Sequence, residues 1–106
     1  MILNFKVFGK AGHAALDNGI NAIYRALDVI KDLDSFTKNL SDECEVKLDF
    51  ISMKGGTQHN IIPELCKLKA ILQVDGIYTE KEILKKIKDM LPSYCKVTIS
   101  KSKIVS

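Results

Sequence analysis

The chain has 106 residues, 46% of them hydrophobic and 27% charged, with a formal net charge of +3; this is enough for one compact domain around one core. Its apolar runs are only a few residues long, far short of the about 20 residues a membrane-spanning helix needs, and the start Met1-Ile2-Leu3-Asn4-Phe5-Lys6 has no basic region, apolar run or cleavage site of a signal peptide, so a cytoplasmic protein is expected. The basic residues are spread along the chain, aromatics are few and Trp is absent, which argues against a base-stacking nucleic-acid surface.

Residues 2–9 alternate, with Leu3, Phe5 and Val7 on one side and Asn4 and Lys6 on the other, the period of a half-buried strand. Gly9 and Gly12 break it. After Asn18-Gly19, the residues Ile20, Ile23, Tyr24, Leu27, Ile30 and Leu33 recur at spacings of three and four and predict one apolar helix face turned to the core. Asp34-Ser35 reads as the helix exit and Lys38 to Glu43 as a solvated loop. A second strand alternates Val46, Leu48 and Phe50 with Glu45, Lys47 and Asp49 and ends at Gly55-Gly56. The third, from Leu65 to Val74, sets Cys66, Leu68, Ala70 and Leu72 against Lys67, Lys69 and Gln73, and the pair predicts an antiparallel hairpin with a long loop. Thr79-Glu80-Lys81-Glu82 has the form of a capping box and opens a second helix with the stripe Ile83, Leu84, Ile87, Met90 and Leu91, stopped by Pro92. Lys85, Lys86 and Lys88 fall on its wet side. The last strand runs from Cys95 to Lys101, and the tail to Lys103 reads as linker.

The order strand, helix, strand, strand, helix, strand predicts a two-layer α+β sandwich of the ferredoxin-like βαββαβ kind, a four-stranded antiparallel sheet with both helices on one face. The other face carries Asn4, Lys6, Glu45, Lys47, Asp49, Lys67, Lys69, Lys96 and Thr98 and is expected to be solvated. Cys44, Cys66 and Cys95 are odd in number and widely spaced, as free thiols of a reducing compartment are. With no CxxC or HxxxH pair, no self-contained metal site is expected.

Two stretches depart from these periodicities: Gly9-Lys10-Ala11-Gly12-His13-Ala14-Ala15, leading to Asn18-Gly19-Ile20-Asn21-Ala22-Ile23, and Gly55-Gly56-Thr57-Gln58-His59-Asn60-Ile61-Ile62-Pro63-Glu64. Both read as loops, where function concentrates. His13 lies among small residues and can donate to or polarise a carbonyl; it is equally a surface His beside a tight turn. Asn60 can present its amide to a ligand or bond its own loop backbone. His59 reads as an exposed loop residue. The first stretch is not a phosphate loop, because the Walker spacing and its GK[ST] ending are missing.

Taken in order, GKAGHAA, GINAI and, about forty residues on, GGTxxNIIPE resemble the dimerisation or lid domain of the zinc-dependent amidohydrolases and metallopeptidases, the group of acetylornithine deacetylase, succinyl-diaminopimelate desuccinylase, aminoacylase and related carboxypeptidases. The resemblance spans about Leu3 to Ile99. It implies residues 1–106 as a single lid domain of the same two-layer fold, inserted in the parent enzyme into a catalytic domain that holds one or two zinc ions and is absent here. It also implies a homodimer, in which His13 reaches the partner's active site and stabilises the oxyanion of the scissile carbonyl. Asn60, with Gly56 and Thr57, would contact a small N-acyl amino acid or peptide substrate. The reaction implied is hydrolysis by a zinc-activated water with a Glu of the catalytic domain as general base, so this chain alone should bind no cofactor and be inactive. Two positions depart from the family pattern. Leu16-Asp17-Asn18 stands where a Pro is usual. Gln73, thirteen residues after Asn60, replaces an Arg that grips a substrate carboxylate, and a neutral amide cannot make that bidentate charged pair.

Two other readings compete. A free-standing ferredoxin-like module that binds a small ligand or regulates a partner would have the same fold but no need of both loops. A nucleic-acid reader would need aromatics on the open sheet face, where only Phe8 is expected.

Overall fold

The computed structural model describes residues 1–16, 18–40, 44–56 and 60–100. Four strands, β1 (Ile2–Phe8), β3 (Cys44–Gly55), β5 (Leu65–Gly76) and β6 (Cys95–Ile99), form one sheet in the order β3-β5-β1-β6, and every neighbouring pair is antiparallel. Helices α1 (Ala22–Leu40) and α2 (Glu80–Met90) pack on one face. A second sheet of only two strands, β2 (Gly12–His13) and β4 (Ile61–Ile62), stands apart. The expected α+β architecture is observed, and among the described residues no helix is long and apolar enough to cross a membrane.

The core follows the alternation. Leu3, Phe5 and Val7 of β1, Cys66, Leu68, Ala70 and Leu72 of β5, and Cys95 and Val97 of β6 are buried beneath the two helices. Phe5 on the central strand and Phe50 on β3 form a tilted ring pair with centroids 5.7 Å apart. The capping box predicted for α2 is present: Glu82 N–H donates to Thr79 Oγ1 at 3.1 Å and Thr79 N–H to Glu82 Oε1 at 3.2 Å.

Helix α1 corrects the sequence reading in three ways. It starts at Ala22, where Asn21 Oδ1 accepts from Ile23 N–H as an N-cap, and Ile20 lies outside it in a bridge to Lys10. It continues past Asp34-Ser35 to Leu40, because Thr37 is buried, Phe36 and Leu40 pack on the core, and Lys38 pairs with Asp34 one turn back at 2.8 Å. Its buried stripe is Ala22, Ala26, Val29, Leu33 and Thr37. Small residues near its start let it lie close on the sheet, which turns Tyr24 and Leu27 outward. In α2, Met90 is likewise exposed at the last position.

Strands β3 and β5 are 12 residues each; β3 ends at Gly55 as expected, and β5 runs two residues past Val74. A bulge between Phe50 and Ser52 shifts the alternation of β3, leaves Ile51 exposed, and moves Ser52 and Lys54 onto the open face beside Lys69 and Lys67. Lysines scattered in sequence therefore gather: Lys54, Lys67, Lys6 and Lys96 form one row across all four strands.

Candidate functional site

Both singled-out loops leave the sheet at the same end, where Phe8 of β1 is opposite Leu65 of β5. Gly9 N–H donates to Glu64 O at 2.8 Å, and Ala22 N–H, at the helix start, donates to Pro63 O at 2.9 Å. The first loop closes on itself through Lys10 and Ile20, whose backbones exchange bonds of 2.8 and 2.9 Å. The stretch between them then pairs with the second loop: Gly12 opposes Ile62, His13 opposes Ile61, and Ala14 N–H donates to Asn60 O at 3.0 Å.

This small ladder brings His13 and Asn60 together, with Asn60 Nδ2 3.3 Å from His13 Nε2. An amide nitrogen only donates, so the contact is a hydrogen bond when Nε2 is the accepting nitrogen of the ring. Both side chains are exposed. The backbone N–H of His13 is held by Asn18 Oδ1 at 2.9 Å, a role the sequence reading missed, having placed Asn18-Gly19 only ahead of the helix. Gly12 is required: a Cβ there would stand 2.4 Å from Asn18 Oδ1 and 2.6 Å from Gly19 N. Gly56 has φ +87°, a conformation glycine adopts without penalty. Gly55 admits Ile23 of α1, whose Cγ1 would lie 2.7 Å from an added Cβ.

Thr57 and His59 lie outside the described residues. Gln73 is not part of this constellation within the chain. It sits on β5 opposite Lys47, eight residues beyond the site end of that strand, or roughly 27 Å along it. The chain's single arginine, which sequence reasoning did not single out, buttresses the site end. Arg25 donates from Nη1 to Phe8 O at 2.9 Å and its guanidinium lies 4.2 Å from the Tyr94 ring centroid, a cation–π contact that ties α1, β1 and the approach to β6.

Among the described residues no three His, Cys, Asp or Glu side chains are grouped to hold a metal ion. The donor next to His13 is an amide, and the buried thiols Cys44, Cys66 and Cys95 are on separate strands. This set does not suit zinc. What it can do chemically is offer a ring N–H and an amide to an oxygen of a bound molecule.

No curated protein matches the chain. Solved structures do, among them three hydrolases. A proposed aminohydrolase from methicillin-resistant Staphylococcus aureus is 22% identical with a TM-score of 0.74, covering 92% of this chain and 28% of that one. A tripeptidase from Staphylococcus aureus is 23% identical (TM-score 0.63; 92% and 27% covered). The aminopeptidase PepT from Bacillus cereus is 19% identical (TM-score 0.60; 92% and 27%). The chain thus spans little more than a quarter of the length of each, and at these identities the likeness is one of fold. The profile of the peptidase dimerisation domain matches residues 2–98, nearly the whole length and both loops with it. This chain belongs to the peptidase dimerisation domain family.

Proposed function

We propose that this chain is the lid and dimerisation unit of a zinc-dependent hydrolase that cleaves N-acyl or peptide bonds, of deacetylase, desuccinylase or carboxypeptidase type, and that His13 and Asn60 serve the partner subunit's active site. The observation that carries the reading is the β2–β4 ladder. It gathers two sequence motifs 47 positions apart and sets His13 and Asn60 side by side, exposed, at 3.3 Å. An imidazole and an amide side chain held together on a stiff backbone suit an oxygen on which negative charge develops. In this reading the metal ligands and the general base belong to a catalytic domain outside these residues, and Gln73 marks a substrate gripped without an arginine from this position. The protein works in the cytoplasm.

For assembly, the favoured surface is the free edge of β3 with the adjoining flank of α1. Ile23 of α1 approaches Gly55 of β3, and Leu27, one turn on, shares that flank. Leu27 is 52% and Ile51 of β3 53% exposed, with Tyr24 and Met53 also exposed. An open strand edge beside apolar side chains recruits a second chain.

Two measurements test this. Light scattering of the chain over a range of concentrations should give twice its 11.8 kDa, and Leu27→Lys should return it to monomer. In the hydrolase that carries this domain, His13→Ala should lower kcat by about 10²–10³-fold with KM little changed. An unaltered kcat would remove His13 from the chemistry.

A further inference from the structure

The open face of the sheet is charged in a way that solvation alone does not require. In the row Lys54, Lys67, Lys6, Lys96, each lysine is directly opposite the next, and Lys69 follows on the adjoining row between Ser52 and Asn4. Directly opposed like charges destabilise a sheet. Lysines are common on edge strands as a guard against aggregation, but Lys6 and Lys67 are on the two central strands, where no edge needs guarding. Among the described residues none of these five lysines has a carboxylate within ion-pair distance. Of the acids of this face, Asp49 is opposite Ile71 on the row next to that of Lys69, and Glu45 and Asp75 stand at the other end of β3 and β5. Departures from local favourability of this kind concentrate at functional sites.

The lysines also border a hollow. Bending of β3 at its bulge accompanies a concavity of about 360 Å³ lined by Lys6, Lys54, Lys67 and Lys69. Asn4, Ser52 and Thr98 add neutral hydrogen-bonding groups to its wall. That volume is at the small end of the range of ligand sites. All the cations are lysines, point charges suited to phosphate, with no arginine fork for planar carboxylates. The two rows contain no aromatic side chain, and the single Phe8 on the next row of this face is too little for successive bases to stack on.

We propose that this face is a binding site for a small, multiply charged oligophosphate anion, held by Lys6, Lys54, Lys67 and Lys69. The site is on the sheet face, separate from the His13–Asn60 pair, and does not depend on the hydrolase reading.

The test is calorimetric titration of the chain with inorganic tripolyphosphate at low ionic strength, where screening is weak. Saturable binding of one anion per chain is expected. The double variant Lys6→Gln/Lys67→Gln should weaken it at least roughly tenfold, whereas Lys85→Gln/Lys88→Gln on α2, with the same charge change, should alter it less than about twofold. Thermal melts of the sheet variant should stay at or above the unsubstituted chain, since a like-charge opposition is relieved. If that variant fails to fold, amide chemical shifts of the unsubstituted chain decide: perturbation at Asn4, Lys6, Lys67 and Thr98 supports the site, and perturbation centred on α2 or none at all overturns it. Absence of saturable heat, equal weakening by both double variants, or tighter binding of a single-stranded oligonucleotide of matched charge would also overturn it, the last by assigning the face to nucleic acid.

Discussion

Asn60 Nδ2 and His13 Nε2 lie 3.3 Å apart although 47 residues separate them in the chain. Their proximity is a product of backbone pairing, Gly12 with Ile62 and His13 with Ile61, so the side-chain contact should fail when that pairing is disturbed. In Gly12→Ala the new Cβ would meet Asn18 Oδ1 at 2.4 Å and Gly19 N at 2.6 Å. We expect a loss of about 1–3 kcal/mol, as for overpacked sites, and disappearance of the nuclear Overhauser contact between the His13 ring and the Asn60 amide. Retention of both stability and contact would show that the loop yields easily.

Phe5 and Phe8 are on the same strand and opposite faces. Phe5 is fully buried against Phe50, and Phe8 is exposed. Urea unfolding of Phe5→Ala should show a loss of about 3–5 kcal/mol, and that of Phe8→Ala a change within about 0.5 kcal/mol. Comparable losses would mean that Phe8 is covered in solution.

The capping box of α2 can be removed without touching the core. Thr79→Ala abolishes the 3.1 Å bond to Glu82 N–H and should lower stability by about 1 kcal/mol, or roughly 4–8 °C in the melting temperature of a domain of this size. Thr79→Ser, which keeps the acceptor oxygen, should restore most of it.

Burial pushes the Cys66 thiol up and the Cys95 thiol up to about 11 from an ordinary 9.0. The folded chain thus keeps its thiol protons where the unfolded chain releases them. The stability from these thiols is complete below about pH 9 and is lost as pH rises toward 11. Urea midpoints across that interval should fall, and Cys95→Ala should fall less steeply; equal slopes would remove the buried thiol as a cause.

Periodicity was enough for the four strands of the main sheet, because one-sided burial forces alternation in Leu3, Phe5 and Val7 as in Cys66, Leu68 and Ala70. The same rule could not foresee the bulge beside Ile51, since Ile51, Ser52 and Met53 include no Gly or Pro and only the partner strand decides which one is squeezed out. For α1, counting apolar residues favoured Tyr24 and Leu27, whereas the helix buries Ala22 and Ala26, whose value lies in their small size. Its length was hidden because Asp34 and Ser35 resemble a helix end until Thr37 and Leu40 are seen to pack. At the site, GHAA and GGTxxN singled out His13 and Asn60, which lie side by side in the fold. Nothing in either motif indicates a β-ladder, nor that Asn18 would hold the His13 backbone. The lysine rows were invisible for a similar reason: cross-strand opposition is a matter of register, and register is not written in any one strand.

The central position of β1 bears on how the molecule is made. Its two neighbours, β5 and β6, begin at Leu65 and Cys95, so a nascent chain that has produced β1, α1 and β3 still has no partner for its first strand. Only the β3–β5 hairpin is local. Long-range pairing of this sort is slow, and the His13 loop hangs from the far end of β1 by bonds to Glu64 and Pro63. The His13–Asn60 pair is therefore assembled with the last topological step of folding, and amide protection at His13 and Ala14 should appear together with that of β1 and never before it.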